Sequence, residues 1–195
     1  MTKQAILFIL DLVSYSYMKN PWKKLSSKTV HKNNWYSVRQ DKVITPNGKK
    51  GVWNVVVLPP AVYVIALNQK NEIYLIKLYR YTTNTTSIEL PGGGSENQKP
   101  LLAAKRELRE EAGLTGKRWS LVGKFQAFAG ISDEIGYVYV AQDLSILADN
   151  EQAEEGIEQV MTVPIKKAYK MIDSGEITDA QTIAALSLAR PFINS

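Results

Sequence analysis

After Lys24 the chain reads as a series of strands. "NWYSVRQDKVIT" and "VWNVVVL" flank the turn "PNGKKG", whose Pro-Asn-Gly run predicts a β-hairpin. "AVYVIAL" and "IYLIKLYRY" follow on either side of the turn "NQKNE", and their almost continuous apolar content predicts a strand pair buried on both faces. "TTNTT" reads as a polar loop and "SIEL" as a short strand ending at Pro91. The period then changes. Leu101, Ala104, Leu108 and Ala112 recur at helical spacing, with proline in the first turn and Gly113 as the stop, which predicts a helix over 100–112. "SLVGKFQAF" and "IGYVYVAQDL" predict strands around the loop "AGISDE". The acidic loop "ADNEQAEEG" then leads to a strand at "IEQVMTV". Two helices, 164–173 and 179–189, close the chain, the second opened by Thr178 and Gln181 at capping-box spacing. Strands on both sides of a central helix, with more helices at the end, predict α/β layers around a mixed sheet.

The opening "MTKQAILFILDLVSYSYMKN" stands apart. Its apolar run is broken by Asp11, far short of the roughly 20 residues that span a bilayer, and it lacks a clear small-residue cleavage site. It reads either as a terminal helix packed by its apolar side or as an upstream start preceding Met18. The expected organisation is an N-terminal extension over 1–24 and one domain over 25–195, with 25–57 as the hairpin.

Composition narrows the chemistry. There is no cysteine, so thiolate nucleophiles, disulfides and zinc-thiolate sites are excluded, and a reducing, cytoplasmic compartment is expected. One histidine, His31, excludes a histidine-rich metal centre. Residues 1–57 hold ten Lys/Arg against two acids and residues 58–195 hold fourteen against seventeen, so the charge divides as +8 and −3. Such asymmetry fits a solvated surface, a nucleic acid or a polyanionic small molecule. Neither a membrane nor a nucleic acid is the expected partner.

The chemistry concentrates in "AAKRELREEAGL". Glu107, Glu110 and Glu111 fall on one arc beside the apolar stripe, three and four residues apart. Each like-charged pair costs a few tenths of a kcal/mol on an isolated helix, partly offset by Arg106 against Glu110. A glycine-rich segment, "PGGGSENQKP", precedes them and lets backbone oxygens come close to a ligand. Oxygen-only donors of this kind suit hard divalent cations, Mg²⁺ above all, and a cation would turn the repulsion into chelation.

Residues Arg106 to Leu114 fill R-E-U-x-E-E-x-G-U, the second half of the Nudix box, without a mismatch, and in this the sequence resembles the Nudix hydrolases. Gly92 stands at the required distance before Gln98, where the family has glutamate, and the segment from Pro91 is one residue shorter than is common. "LYRY", "SIELPGG", "GISDEIGYVYVA" and "SGEITDAQTIAAL" extend the likeness to the ADP-ribose and nucleoside diphosphate sugar pyrophosphatases over about 33–189. The resemblance implies a Nudix-like α/β/α sandwich with a mixed β-sheet and an N-terminal β-hairpin extension that joins a homodimer. It implies Mg²⁺, or Mn²⁺, held by Glu107, Glu110 and Glu111 with the backbone at Gly92, and Arg106 as their orienting partner. The acidic loop is expected to add Glu155 as a ligand and Glu154 as general base. For the substrate, a nucleotide sugar such as ADP-ribose or GDP-mannose, the resemblance implies contacts from Trp35, Tyr36, Arg39, Arg80, Glu89, Ser132, Asp133 and Glu134. Cleavage of the diphosphate would release a nucleoside monophosphate and a sugar phosphate. Phe128-Ala129-Gly130 replaces the Ser-Pro-Gly of many ADP-ribose pyrophosphatases, which leaves other nucleotide sugars open. The alternatives are a nucleoside triphosphate pyrophosphohydrolase and a binding module weakened by Gln98.

Overall fold

Lys23–Lys32 (β1), Ser37–Ile44 (β2) and Lys50–Val57 (β3) form a three-stranded sheet in the order β1-β2-β3 of a computed structural model that describes residues 20–147 and 150–193. The expected terminal helix, or start at Met18, lies outside the described residues. The chain divides into two units at Val55/Val56. β2 and β3 are the anticipated pair, joined by a tight turn in which Thr45 N–H donates to the Lys49 carbonyl at 2.8 Å and Gly48 N–H to the Thr45 carbonyl at 2.9 Å. β1 was not anticipated. Every residue of "KKLSSKTVHK" is exposed, so no buried face writes an alternation into the sequence.

The second unit holds Ala61–Ala66 (β4), Glu72–Arg80 (β5), Thr85–Glu89 (β6), Gly92–Gly94 (β7), Leu114–Gln126 (β8), Ile135–Ile146 (β9) and Ile157–Pro164 (β10). Its helices are Pro100–Ala112 (α1), Ile165–Asp173 (α2) and Ala180–Ile193 (α3). A mixed sheet runs β7-β4-β9-β8, with β4 and β9 parallel and the other pairs antiparallel, and a second, antiparallel sheet runs β10-β5-β6. The expected pairing of "AVYVIAL" with "IYLIKLYRY" is therefore corrected. β4 and β5 lie in different sheets, and the turn between them closes on the isolated bridge Leu67↔Ile73 just past the end of β4. Both strands are apolar on both faces because each is sandwiched, a burial that the pattern conveys without naming the partner.

Alternation along β4 explains the layers. Val62, Val64 and Ala66 face α1, where Ala103, Ala104, Leu108 and Ala112 pack with Tyr139 and Ala141 of β9. Ile65 faces the opposite way, into a core with Val138, Leu75, Val163, Met171 of α2 and Leu186 of α3. The result is the expected helix, sheet, helix sandwich. α1 keeps its expected bounds, with Gly113 in the left-handed region at φ 64° as its stop. The helical stripe is shifted: Leu101 is at the surface and Ala103 takes its place in the core. α3 is capped by Asp179, whose carboxylate accepts the Thr182 N–H at 2.7 Å, in place of the anticipated Thr178. The helix also runs past Ala189 and through Pro191, and the buried Ile193 holds its last turn.

Candidate active site

The Pro91 turn and the three glycines after it set the site. β7 pairs with β4 through Gly92↔Tyr63, Gly93↔Val62 and Gly94↔Ala61, directly beside α1. A Cβ on Gly92 would lie 2.3 Å from the Val62 carbonyl, and one on Gly93 would lie 2.7 Å from Oε1 of Glu107. Only glycine lets the strand fit between the sheet and the acids of the helix.

Glu107, Glu110 and Glu111 are 6%, 6% and 5% exposed, so the acids are inside the structure and not on its rim. Carboxylates this buried need partners, and they have different ones. Glu110 is engaged at both oxygens, by Arg106 Nη1 and Arg109 Nη2, each at 2.7 Å. Glu107 accepts from Arg106 Nη2 at 2.7 Å, and Glu111 accepts the Gly92 N–H at 2.7 Å. Burial, followed by the charges of Glu110 and Glu155, pushes the Glu107 carboxyl up to about 7 against the opposing pull of Arg106. Burial, followed by the charges of Glu107 and Glu155, raises Glu111 to about 8, while the Gly92 N–H and Arg80 work the other way. Among the described residues no three acids form a ready-made cage for a metal ion.

Arg106 is the hub. It donates to the Gly94 carbonyl at 2.8 Å as well as to Glu107 and Glu110, while its Nε is buried with no acceptor. Glu96 approaches it at 3.9 Å. Sequence spacing pointed to Gln98 at this place, yet Gln98 is exposed and its N–H closes a turn onto the Ser95 carbonyl at 2.8 Å. The short loop achieves this by placing both Glu96 and Asn97 at positive φ, 50° and 65°.

The acidic loop is fastened to the end of α1. Glu151 N–H donates to the Glu110 carbonyl at 2.9 Å and its side chain meets Arg109 at 3.3 Å. Glu154 and Glu155 are exposed, and it is the Glu155 charge that acts on both Glu107 and Glu111.

Next to the glycine strand lies a cleft of about 620 Å³, entirely within the second unit. It contains Arg80, Glu89 and Glu134 of the expected substrate residues. Arg80 and Glu89 form a two-pronged pair, Nε to Oε1 at 2.8 Å and Nη2 to Oε2 at 2.6 Å, and this hydrogen bonding raises the Arg80 pKa. Ser132 Oγ accepts the Glu134 N–H at 3.1 Å, and Asp133 is at the surface. Tyr63, Thr82, Thr85, Ser87, Phe128 and Asp179 also line the cleft and were not anticipated as site residues. Their strand and loop positions are ordinary in sequence; the crossing of β4, β6 and the loop before β9 brings them together. Trp35, Tyr36 and Arg39 belong to the first unit. Asn33 Oδ1 accepts the N–H groups of Trp35 and Tyr36 at 2.9 and 2.8 Å, both rings are exposed, and Arg39 pairs with Asp41 at 3.1 Å.

The NUDIX domain profile matches residues 57–186, and that of the nucleoside diphosphate sugar hydrolase N-terminal domain matches residues 22–56. An ADP-ribose pyrophosphatase of Bacillus subtilis is 33% identical over 84% of this chain and 92% of that protein. An ADP-ribose pyrophosphatase of Mycobacterium tuberculosis is 31% identical over 86% of this chain and 83% of that protein. The crystal structure of an ADP compounds hydrolase shares the fold, with a TM-score of 0.78 at 20% identity over 92% of this chain and 97% of that chain. With the NUDIX profile spanning the box helix and its glycine strand, and the second profile covering the strands before them, the chain belongs to the Nudix hydrolases, enzymes that act on pyrophosphate bonds.

Proposed function

We propose that the chain hydrolyses the diphosphate of a nucleoside diphosphate sugar, with ADP-ribose as the first candidate, to a nucleoside monophosphate and a sugar phosphate. The observation that carries this reading is a buried pair of mutually repelling carboxylates, Glu107 and Glu111, set against a glycine strand at the edge of a polar cleft. Two of the similar proteins described above are ADP-ribose pyrophosphatases, which supports the choice of substrate.

The residues fit a divalent cation. The donors are all oxygen, and Glu107 and Glu111 are raised first by burial and then by neighbouring carboxylates, both of which disfavour a bare negative charge that a cation would neutralise. Mg²⁺, or Mn²⁺ in its place, keeps several waters and takes phosphate oxygens of the substrate, so no complete protein cage is needed. Glu107 and Glu111 are its main holders in this reading, with Gly92 and Glu155 beside them, and Glu110 contributes chiefly by fixing Arg106 and Arg109. Bound there, the cation supplies Lewis acidity, offsetting the diphosphate charge and acidifying water.

The chain's own groups do the rest. Arg80, held by Glu89 on one edge of its planar fork, presents its remaining donors to phosphate oxygens. A carboxylate of the 150–156 loop takes the proton of the attacking water, and Glu154 is the assigned base. Trp35, Tyr36 and Arg39 of the first unit contact the nucleobase, supplied across a homodimer joined through β1–β3. Exposed Leu25, Val30, Val52 and Trp53 on these strands favour such a contact. Ser132 and Asp133 shape the loop that carries Glu134. A cytoplasmic location completes the reading. The Glu96 carboxylate near Arg106 speaks against a module disabled by Gln98.

A screen of the purified protein with Mg²⁺ against ADP-ribose, UDP- and GDP-sugars, dinucleoside polyphosphates and nucleoside triphosphates, scored by product identity, tests the proposal. Monophosphate plus sugar phosphate is the expected outcome. Pyrophosphate release from triphosphates alone would replace it with the pyrophosphohydrolase reading.

A further inference from the structure

We propose that Phe128 is a specificity-determining residue whose ring is the stacking face for the sugar of a diphosphate ester, while acids of the same cleft take the sugar's hydroxyls. This rests on the diphosphate-sugar reading above and goes beyond it by naming the group that reads the leaving portion.

Phe128 is 51% exposed although it lines the cleft. A large aromatic face is thus open to the cavity instead of being used in the core. Its position is fixed. The Phe128 carbonyl accepts from Ile131 N–H at 2.9 Å and from Ser132 N–H at 2.8 Å, which closes the turn that presents the ring. The Ser132 hydroxyl in turn accepts the Glu134 N–H at 3.1 Å, so ring and carboxylate are carried by one hydrogen-bonded loop.

Apart from Ala61, Tyr63, Ala180 and the glycine strand, the rest of the lining is polar. Glu89, Glu134 and Asp179 contribute carboxylates, and Thr82, Thr85 and Ser87 contribute hydroxyls. Among the described lining residues Arg80 is the one cation, and two of its donors are committed to Glu89. An apolar plate opposed by hydrogen-bond acceptors matches the two chemistries of a saturated sugar ring. Its C–H groups lie on the π-face, and its hydroxyls donate to the carboxylates. A planar base would use the plate but brings few donors for the acids, of which Glu89 and Asp179 keep lone pairs beside those that accept from Arg80 and the Thr182 N–H. A further phosphate would meet net negative charge.

The test compares kcat/KM for ADP-ribose and for the methyl ester of ADP, a diphosphate ester without the sugar, in the wild type, Phe128→Ala, Phe128→Leu and Phe128→Trp. The expected result is a preference for the sugar ester that falls about five- to tenfold in Phe128→Ala, falls less in Phe128→Leu and is retained in Phe128→Trp. The loss should appear in KM. A preference unchanged in Phe128→Ala, with both esters turned over, would overturn the role of Phe128 alone. Failure of the wild type on both esters, with turnover of triphosphates, would overturn the diphosphate-sugar reading as well.

Discussion

Asp41 and the pair Glu107 and Glu111 are buried acids in two different units, and their pKa values move in opposite directions. Asp41 stands in the β1–β2–β3 sheet opposite Ser27. The Ser27 hydroxyl, then Arg39 and Lys24, hold its carboxyl below the usual range against the effect of burial. Glu107 and Glu111 sit deeper among other groups, so burial comes first in pushing both up, and neighbouring carboxylates add to it. An acid whose charge is held by its surroundings, as Ser27 and Arg39 hold that of Asp41 although its Oδ1 is buried without a hydrogen-bond partner, has a structural use. One whose surroundings oppose its charge is waiting for a positive partner from outside the chain.

The largest expected effect follows from removing that waiting charge. Glu111→Gln should reduce kcat by about a thousandfold while leaving the fold intact, and without added metal it should melt no lower than the wild type at pH 8. Steady-state kinetics and a thermal melt check the two halves. A variant that retains wild-type turnover would end the contrast, because Glu111 would then be a structural acid like Asp41.

Next in size is Glu96, the exposed acid 3.9 Å from Arg106. Glu96→Gln should cost about tenfold in activity, in keeping with a group acting through a neighbour, and should raise the Mg²⁺ concentration needed for half-maximal rate. Gln98→Ala should alter neither. The reverse order would return the role to the residue that sequence spacing indicates.

The pH responses of the two units should differ in sign. The folded-state pKa values of Glu107 and Glu111, about 7 and about 8, exceed the ordinary 4.5, so the metal-free folded state holds more protons than the unfolded chain between these limits. Stability of the α1 region should therefore fall as pH rises from about 5 to about 8, and Mg²⁺ should restore more of it at pH 8 than at pH 5.5. For Asp41 the shift is downward, so its contribution is present above 3.8 and is lost as pH falls through the lower folded value. Hydrogen exchange on α1 and β2 amides across pH separates the two trends. The smallest effect is Asp41→Asn, which should lower the melting midpoint at pH 7 by about 2–4 °C with kcat unaffected.

Much of this was legible in the sequence because of local signals. Helix α1 announces itself by period, by Pro100 and by Gly113, and its glutamates by their spacing. Strand partners beyond the β2–β3 hairpin were not legible. β4 and β5 carry the same two-sided apolar pattern as a hairpin would, and only long-range packing sends them to separate sheets. β1 has no buried face to leave a trace. In the site, spacing identified Glu107, Glu110 and Glu111 but treated them alike, whereas two arginines engage both oxygens of Glu110. Glu96 was hidden because a shortened loop at positive φ changes which side chain reaches Arg106. Phe128 and Asp179 enter the cleft through the crossing of distant segments, for which no local pattern exists.

Calorimetric titration of Mg²⁺ into the wild type and Glu111→Gln at pH 8 tests the central claim most directly. Binding to the wild type, weakened at least about tenfold in the variant, is the expected result. Equal affinity in the two proteins, or no binding to the wild type with or without a non-hydrolysable ADP-ribose analogue, would contradict it.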